Sequence, residues 1–407
     1  MRAALLLSTV ALAGCGLLDR EVTYHADVQP LLADHCVRCH QPGGLGTGDF
    51  TDPDVVVAFA DRIAARTEAG TMPLPTSDPE CRPFIGHEHL TLDNKERGIL
   101  ARWAEKGAPL GDPADAPDHL GHQAGELENP DVVATIPRYT PTFQDPGNPG
   151  NEYRCFALDP GHEADFFVTG LHPIIDEPAL VHHIVIGAVK RGSFDPDALG
   201  DQGVDCINDD MGTVENMLAA WAPGSEPQVF ADGAGMRVAA DEVLMIQMHY
   251  YDNGEQDGLS DASGYAMTTA AAVDTELVVL PLGSFTFRIP AGAPAYTFED
   301  QIRADRDLRI HGVFPHMHVL GAAYHMAVDR KKDACLVSSE VYSFDNQLTY
   351  LFEEPVDVAA GETIRWECTW NNSTSNPHRI YDEPRETFYG ERTDQEMCFF
   401  FTLVEAE

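Results

Sequence analysis

The chain has 407 residues, of which 43% are hydrophobic, and a formal net charge of −40. A chain of this length and composition predicts two or three domains with ordinary buried cores. The acidic charge argues against nucleic acid or anionic lipid surfaces as partners of the folded protein, because both attract cationic patches. A solvated acidic surface is the simplest explanation of the charge.

The first residues have the features of an export signal. Met1 and Arg2 precede an apolar run over Ala3–Ala13, which is too short to span a membrane permanently. The sequence Leu-Ala-Gly-Cys at the end of this run resembles a bacterial lipobox, in which Cys15 becomes the lipidated first residue. We therefore expect residues 1–15 to be a lipoprotein signal. The exported protein would be attached through lipid alone to the periplasmic side of the outer membrane or the cell surface, where disulfides form.

Cys36, Cys39 and His40 form the motif C-x-x-C-H, the attachment signature of c-type haem. The two cysteines would form thioethers to the porphyrin and the histidine would ligate iron. A disulfide or half of a zinc site are the structural alternatives. A helical pattern at Asp27–Leu32 precedes the motif.

The sixth iron ligand is expected downstream of this motif on a stiff loop. Met72 fits, because prolines follow it in T-M-P-L-P and restrict the backbone. His87 and His89 are competing candidates. Two further helices are predicted at Asp54–Thr67 and Asp93–Lys106, the second with the spacing of a capping box.

Helix, C-x-x-C-H, loop, helix, methionine loop and helix, in this order, resemble a class I cytochrome c domain. The resemblance implies a small all-α haem domain, to which we assign residues 21–111. The Pro- and Asp-rich sequence Asp112–Asp118 then opens a linker over residues 112–140.

From Pro141 onward the pattern changes to short β-rich segments separated by Gly, Pro, Asn and Asp. This part of the chain is long for one β-sandwich and suits two. We place the first sandwich at residues 141–280 and the second at residues 281–407. The predicted strands are Asp165–Thr169, Val181–Val189, Val243–Tyr251, Glu276–Leu280, Ser284–Ile289 and Gly361–Trp370.

Two places in the first β-rich half carry histidines at strand positions. His182 and His183 are adjacent, so they would face opposite sides of a regular strand and need a local bulge to share one ion. His249 is a single histidine in an apolar strand, where a role in the core is the simpler explanation. Neither place alone is a specific metal signal.

The second β-rich half adds a stronger pattern. His316 and His318 alternate along a predicted strand, so they face one side and can chelate a single metal ion. Imidazole favours zinc, copper, iron or nickel, and a softer third ligand would select copper. Met397, in Glu-Met-Cys near the end of the chain, supplies such a thioether.

Taken in order, the motifs HH, MHY, HMH and EMC resemble the copper type II ascorbate-dependent monooxygenases, which include peptidylglycine α-hydroxylating and dopamine β-monooxygenases. The resemblance covers about Tyr153–Phe401. It implies a mainly β fold of two antiparallel jelly-roll β-sandwich domains, each holding one copper ion, with solvent between the two metals. It implies an electron-transfer copper at His182, His183 and His249, and an oxygen-activating copper at His316, His318 and Met397.

The resemblance also bears on the cysteines. It implies a disulfide between Cys368 and Cys398, which would hold the methionine loop. Cys155 matches the family's first cysteine, but Ala262 stands where its partner is expected, which leaves Cys206 as an alternative. The cysteines left without an assigned partner are Cys81 and Cys335.

One departure from the family concerns the substrate. Peptide-amidating members hold a peptide carboxylate with an arginine, an asparagine and a tyrosine, and these positions are Phe314, Phe399 and Phe401 here. Aromatic side chains cannot neutralise a buried carboxylate. A small, neutral or hydrophobic substrate is therefore expected, although the three phenylalanines could also be ordinary core residues.

The sequence thus predicts a copper monooxygenase that hydroxylates a substrate C–H bond with O2. A tethered haem would supply electrons at high effective concentration, and an ascorbate-like reductant or another redox partner is the other possible source. The main alternative is a non-enzymatic electron-transfer or copper-binding lipoprotein. A surface protein whose sandwiches bind a polymer is a further alternative.

Overall fold

The computed structural model describes residues 20–406 except 43, 45, 119–126, 128, 146–149, 208–213, 223–224, 226, 253–257 and 331–333. The predicted lipoprotein signal, including Cys15, lies outside the described residues. Within them, every helix is too short or too polar to cross a membrane. The described chain begins with helices and continues as a mainly β structure, as the sequence predicts.

The helices of the N-terminal part agree with the periodicity of the sequence. They are α1 (Gln29–His35), α2 (Pro53–Glu68), α3 (His87–Leu90) and α4 (Asn94–Glu105), preceded by a π-helix at Tyr24–Val28. The predicted capping box is present, because Asp93 and Glu96 each accept a hydrogen bond from the other's backbone N–H. Short 3-10 helices lie at Pro113–Asp115 and Pro196–Leu199.

The apolar faces of these helices meet in a small core of their own. Leu32, Ile63, Leu100 and Trp103 belong to it, one or more from each of α1, α2 and α4. The helical part therefore has a hydrophobic core of its own, distinct from the cores of the β structure.

The rest of the described chain consists mainly of strands and the loops between them. They are β1 (Val132–Thr135), β2 (Asn151–Leu158), β3 (Phe166–Ile174), β4 (Val181–Lys190), β5 (Val204–Asp205), β6 (Val214–Trp221), β7 (Gln228–Val229), β8 (Ala234–Val238), β9 (Glu242–Tyr251), β10 (Gly264–Ala270), β11 (Thr275–Gly283), β12 (Arg288–Ile289), β13 (Tyr296–Arg303), β14 (Leu308–His316), β15 (Gly321–Asp329), β16 (Ala334–Ser339), β17 (Tyr350–Val358), β18 (Thr363–Trp370), β19 (Thr387–Phe388) and β20 (Phe399–Glu405).

A nine-stranded sheet runs through both β-rich halves in the order β1-β10-β3-β8-β11-β20-β14-β17, with β7 beside β3. The five-stranded sheet β5-β2-β9-β4-β6 covers one end of it, and a core that includes Val168 and Ile246 lies between them. The four-stranded sheet β13-β18-β15-β16 covers the other end, over a core that includes Ile310 and Trp366. Two sandwiches therefore share one sheet.

Three details differ from the sequence prediction. The boundary placed between residues 280 and 281 falls inside β11, which pairs with β8 of one half and β20 of the other. The predicted linker contributes β1, which pairs with β10. The strand predicted at Ser284–Ile289 is wrong for most of its length. The ring of Phe285 packs instead against Tyr389 and Phe399, and only β12 pairs.

The loop between α2 and α3 fastens the helical part to the second sandwich. Cys81 and Cys335, which the sequence left unassigned, form a disulfide. The backbone N–H of Asp78 donates to the carbonyl of Ser338 at 2.7 Å, and Phe84 is buried in the core of that sandwich. The other disulfides are Cys155–Cys206 and Cys368–Cys398.

This cross-link predicts the result of a fragment experiment. When a specific protease site is inserted after Asp118 and cut, Cys81 and Cys335 should keep the two fragments joined on a non-reducing denaturing gel. In Cys81→Ser protein the fragments should separate without reductant. Cys155→Ser is the matched control, because its disulfide lies on one side of the cut and its loss should leave the fragments joined. Separation of the wild-type fragments without reductant would contradict the cross-link.

Candidate metal centres

His182, His183 and His249 converge at the edge where β4 pairs with β9. The pairing register shifts between Val181 and His183, which is the bulge that two adjacent histidines need to share a site. Nδ1 of His183 lies 3.3 Å from Nδ1 of His182 and 3.1 Å from Nδ1 of His249. One ring nitrogen from each of the three lies within 4.8 Å of the others. The bulge thus brings three imidazole nitrogens to a common point.

The surroundings keep two of these imidazoles, His183 and His249, neutral. Burial lowers the pKa of His183 and of His249 well below the ordinary value, and the neighbouring histidines lower both further. Nε2 of His249 donates to Oδ1 of Asn151 at 2.8 Å, which leaves its Nδ1 free to ligate. The ring of Tyr153 stacks on His249 with centroids 4.2 Å apart and fixes its plane. Neutral, oriented imidazoles are what a metal ion requires.

His316 and His318 form the second histidine group. His316 is the last residue of β14 and His318 follows the strand, so strand alternation alone does not describe their geometry. Their ring centroids are 5.1 Å apart. Nδ1 of His316 donates to Oε1 of Gln347 at 2.5 Å, and Nδ1 of His318 donates to the carbonyl of Gln395 at 3.1 Å. Both rings therefore keep the lone pair of Nε2 for a ligand.

Burial also sets the protonation of this pair. It lowers the pKa of His316 to about 4 and that of His318 to about 3. Both are neutral at physiological pH. The two groups thus differ in their chemistry, with Nδ1 available in the first and Nε2 in the second.

The segment around Met397 is held against the second group. The buried carboxyl group of Glu396 accepts hydrogen bonds from the backbone N–H groups of His318 and Leu320, at 2.9 and 2.7 Å. Cys398 is tied to Cys368 on β18. Met397 is therefore fixed through both of its neighbours, and its chain segment lies beside His318.

Glu396 also accepts a hydrogen bond from the Trp370 indole at 2.9 Å. Burial raises the pKa of its carboxyl to about 8, although the hydrogen bonds from His318, Leu320 and Trp370 oppose the shift. The side chain has no contact with solvent, so its role is to hold the turn after β14 and the methionine segment together.

The two histidine groups lie side by side. The rings of His183 and His316 are 6.4 Å apart, centroid to centroid. The family resemblance implies two metals separated by solvent, and this stays a prediction. The ring of Phe344 stacks on His182 at 4.4 Å and lies 6.4 Å from His318, so it occupies space between the groups.

A second feature is a cavity of about 870 Å³ between the helical part and the sandwiches. Cys36, Cys39, His40 and Met72 all line it. Among the described residues, Cys36 and Cys39 are free thiols, and neither belongs to a group of three potential metal ligands. Burial raises the pKa of Cys36 to about 12 and so keeps that thiol neutral.

The lining of the cavity distinguishes between the candidates for the sixth iron ligand. Met72 lines it, whereas His87 and His89 are not among its lining residues. His87 lies 3.6 Å from Glu353, and Nδ1 of His89 lies 2.7 Å from a carboxylate oxygen of Asp34. Nδ1 of His40 donates to the carbonyl of Thr47, which leaves Nε2 available.

The donor set and the charges of the cavity fit a covalently attached haem. The cavity is lined by two thiols, an imidazole and a thioether, and also by Arg38, Arg62 and Arg66. In a chain with only 26 basic residues against 66 acidic ones, three arginines around one cavity suit a ligand with carboxylates. The wall opposite the helices includes Leu180, Val181, His182, Tyr251, Asp345 and Asn346.

Phe314, Phe399 and Phe401 lie on the strands next to His316. Phe314 and Phe401 have ring centroids 6.0 and 6.3 Å from that imidazole, and Phe399 pairs with it across β14 and β20. A Cβ on Gly283 would approach the ring of Phe399 to 2.5 Å, so only glycine allows this ring to lie over β11. The aromatic rings therefore form a wall beside the second histidine group.

Sequence comparison identifies both halves of the β structure. Residues 140–257 match the model for the N-terminal domain of copper type II ascorbate-dependent monooxygenases, and residues 288–404 match the model for the C-terminal domain. Together the two matches span more than half of the chain. A comparison with curated proteins finds no match.

Comparison with solved structures finds only weak likeness. The major capsid protein P2 from bacteriophage PM2 is 6% identical with a TM-score of 0.23, covering 63% of this chain and 97% of that chain. The infectious bursal disease virus VP2 subviral particle is 10% identical with a TM-score of 0.18, covering 69% and 74%. TM-scores this low do not establish a common fold.

The buried state of His318 predicts acid sensitivity of the metal-free protein. Its folded pKa of about 3 lies below the ordinary value of 6.5, so its stabilising contribution is present above pH 6.5 and is lost as pH falls toward 3. Between pH 7 and pH 4.5 the loss should be about 2 to 3 kcal/mol. His318→Gln cannot titrate and should lose that much less in urea unfolding. Equal losses in the two proteins would contradict the assignment.

Proposed function

The chain belongs to the copper type II ascorbate-dependent monooxygenase family, and we propose that it hydroxylates a C–H bond of a small, neutral or hydrophobic substrate with O2. Membership makes the protein an oxidoreductase of the monooxygenase type. The observation that carries the finer proposal is the convergence of two histidine groups, one of them beside the Met397 segment.

We assign the two groups to two copper ions. His182, His183 and His249 would hold one ion through Nδ1, and the neutral rings of His183 and His249 support this. His316 and His318 would hold the other through Nε2, with Met397 as the third ligand. A thioether favours Cu(I). Copper, when bound at the second group, would supply the one-electron chemistry that activates O2 toward a C–H bond.

The residues around the second group prepare it for this chemistry. Gln347 and the carbonyl of Gln395 hold the Nδ1 protons of the two histidines, which orients the rings. Phe314 and Phe401 present an apolar wall beside His316. Such a wall excludes water and cannot compensate a charged substrate group, which supports an uncharged substrate.

The helical part would be a cytochrome c-like domain that carries one covalently bound haem. Cys36 and Cys39 would form the thioethers, His40 would ligate iron through Nε2, and Met72 would be the sixth ligand. The haem would supply electrons to copper, and an ascorbate-like reductant or another redox partner would reduce the haem. The shared cavity supports this arrangement, because His182 lines it and belongs to the first histidine group.

We further propose that the protein is an exported lipoprotein attached through Cys15. The three disulfides support an oxidising compartment. Attachment would be to the periplasmic side of the outer membrane or to the cell surface.

Met397→Ala tests the monooxygenase against the non-enzymatic alternative. The measurement is ascorbate-driven oxygen consumption with a neutral benzylic probe such as ethylbenzene, together with copper content. The variant should lose product formation by about 100-fold or more, since a direct ligand matters at least as much as an outer-shell partner, and should keep the copper at His182, His183 and His249. His249→Ala is the matched variant that should lose the other copper. Wild-type protein that binds copper but oxidises no substrate of this class would favour a carrier.

The haem proposal has a separate test. Protein with reduced haem is prepared without oxygen, with Cu(II) at the histidine groups, and haem absorbance is followed in a stopped-flow instrument. The haem should become oxidised as copper is reduced. Protein loaded with Zn²⁺, which has no redox chemistry, is the control and should keep its haem reduced. The same slow or absent oxidation with both metals would contradict haem as the electron source.

A further inference from the structure

The loop between β16 and β17 contains a four-residue segment, Phe344–Gln347, that contacts both histidine groups and the Met72 loop. Phe344 stacks on His182, and Gln347 accepts a hydrogen bond from His316. These two residues hold one histidine of each group. The residues between them, Asp345 and Asn346, line the cavity.

Asn346 connects this segment to the helical part. Its Nδ2 donates to the carbonyl of Pro75 at 2.9 Å and lies 3.4 Å from the carbonyl of Leu74. These carbonyls follow Met72 by two and three residues. The segment is therefore anchored on the cavity side as well as on the side of the histidine groups, which limits its freedom to move.

Asp345 has a more specific position. Its Oδ1 lies 3.6 Å from Nε2 of His182, on the edge of the imidazole opposite to the Nδ1 that faces the other histidines. Nε2 of His182 is buried, and among the described residues it has no hydrogen-bond partner at normal distance. A small closure of this gap would give the nitrogen its partner, and the Asp345 carboxylate is the group in place to provide it.

Asp345 carries a negative charge at neutral pH, because an aspartate carboxyl group ionises at about pH 4. It lines the cavity and approaches His182, so it lies in the wall that the cavity and the first histidine group share.

The outer partners of His249, His316 and His318 are neutral. His249 pairs with the amide of Asn151, His316 with the amide of Gln347, and His318 with a backbone carbonyl. A carboxylate on the outer nitrogen of a ligand histidine makes the imidazole a stronger donor than an amide or carbonyl does. Among these four outer contacts, only that of His182 carries a negative charge.

We propose that Asp345 is a positioning residue that orients His182 and strengthens it as a ligand, so that the first histidine group binds Cu(II) in preference to Cu(I). This inference rests on the proposed copper at that group. A stronger, more anionic donor set stabilises the higher oxidation state and lowers the reduction potential. The thioether of the second group has the opposite preference. The two sites would then differ in potential in the direction that sends electrons from the first group to the second.

Asp345→Asn tests this inference because it removes the charge and keeps the shape. The full-length protein with its haem is titrated with Cu(II) and, separately, with Cu(I) against competing chelators, in a Met397→Ala background that reports the first group. Asp345→Asn should weaken Cu(II) binding by about 10-fold or more and change Cu(I) binding much less. The Cu(II) electron paramagnetic resonance spectrum should change with it. Asp345→Glu should restore most of the Cu(II) affinity.

Asp357→Asn is the matched control. It makes the same change of charge on the same sandwich, at a side chain that is 76% exposed and paired with Arg309, and should leave both affinities unchanged. Equal Cu(II) affinities in wild type and Asp345→Asn would overturn the inference alone. Equal losses of Cu(II) and Cu(I) affinity would overturn it too, because they indicate a structural role. If the Met397→Ala protein with Asp345 intact binds no copper at all, the proposed function is overturned as well.

Discussion

The second histidine group depends on the hydrogen bonds that the buried carboxyl group of Glu396 accepts. Their donors are the N–H groups of His318, Leu320 and Trp370, and Glu396 has no contact with solvent. Each of these donors, if left unsatisfied in the interior, would cost about 1 to 3 kcal/mol. The carboxyl group therefore joins the turn after β14 to the segment that precedes β20, and Met397 is held in that segment. The Cys398 disulfide secures its other side.

The shared sheet and the five-stranded sheet packed on it together explain why the two histidine groups are neighbours. In two separate sandwiches, each group would be positioned by its own domain and the distance between them would depend on a linker. Here β11 pairs with β8 of the first half and β20 of the second, so the two halves are hydrogen-bonded into one sheet. His316 ends a strand of that sheet, and its ring reaches within 6.4 Å of His183. The first histidine group stands on the five-stranded sheet, so the distance between the groups is set by the packing of that sheet on the shared sheet.

Much of the fold and of the candidate site could be predicted from local sequence patterns. The helices follow from periodicity and the Asp93 capping box, and the bulge at His182 and His183 follows from the need of adjacent side chains to face one side. The candidate metal ligands were predicted from the order of the motifs. The sequence could not indicate the continuous sheet, because the pairing of β8 with β11 joins edges that no local pattern marks.

The outer contacts of the histidines were also beyond sequence analysis. Asn151, Gln347 and Asp345 are ordinary polar residues whose positions relative to the ligands arise from loop conformation and strand register. Residue type alone does not distinguish them from solvated surface residues. The three arginines of the cavity were also beyond sequence analysis, because they come from two separate segments and only the fold brings them together. Tertiary contacts of this kind determine the chemistry of the candidate site. The sequence pattern identifies only the helix, strand or loop that bears each candidate ligand.

The cavity is lined by both the helical part and the sandwiches, so the two parts are joined by more than a linker. A haem domain joined by a flexible linker would complete its own cavity and would meet the copper domains only by diffusion within the reach of the linker. Here the helices supply the thiols, His40 and Met72, whereas Asp345, Asn346 and His182 complete the wall. The Cys81–Cys335 disulfide fixes the two parts in this arrangement. A cofactor in that cavity would contact the first histidine group directly, so its distance from copper would be a property of the fold.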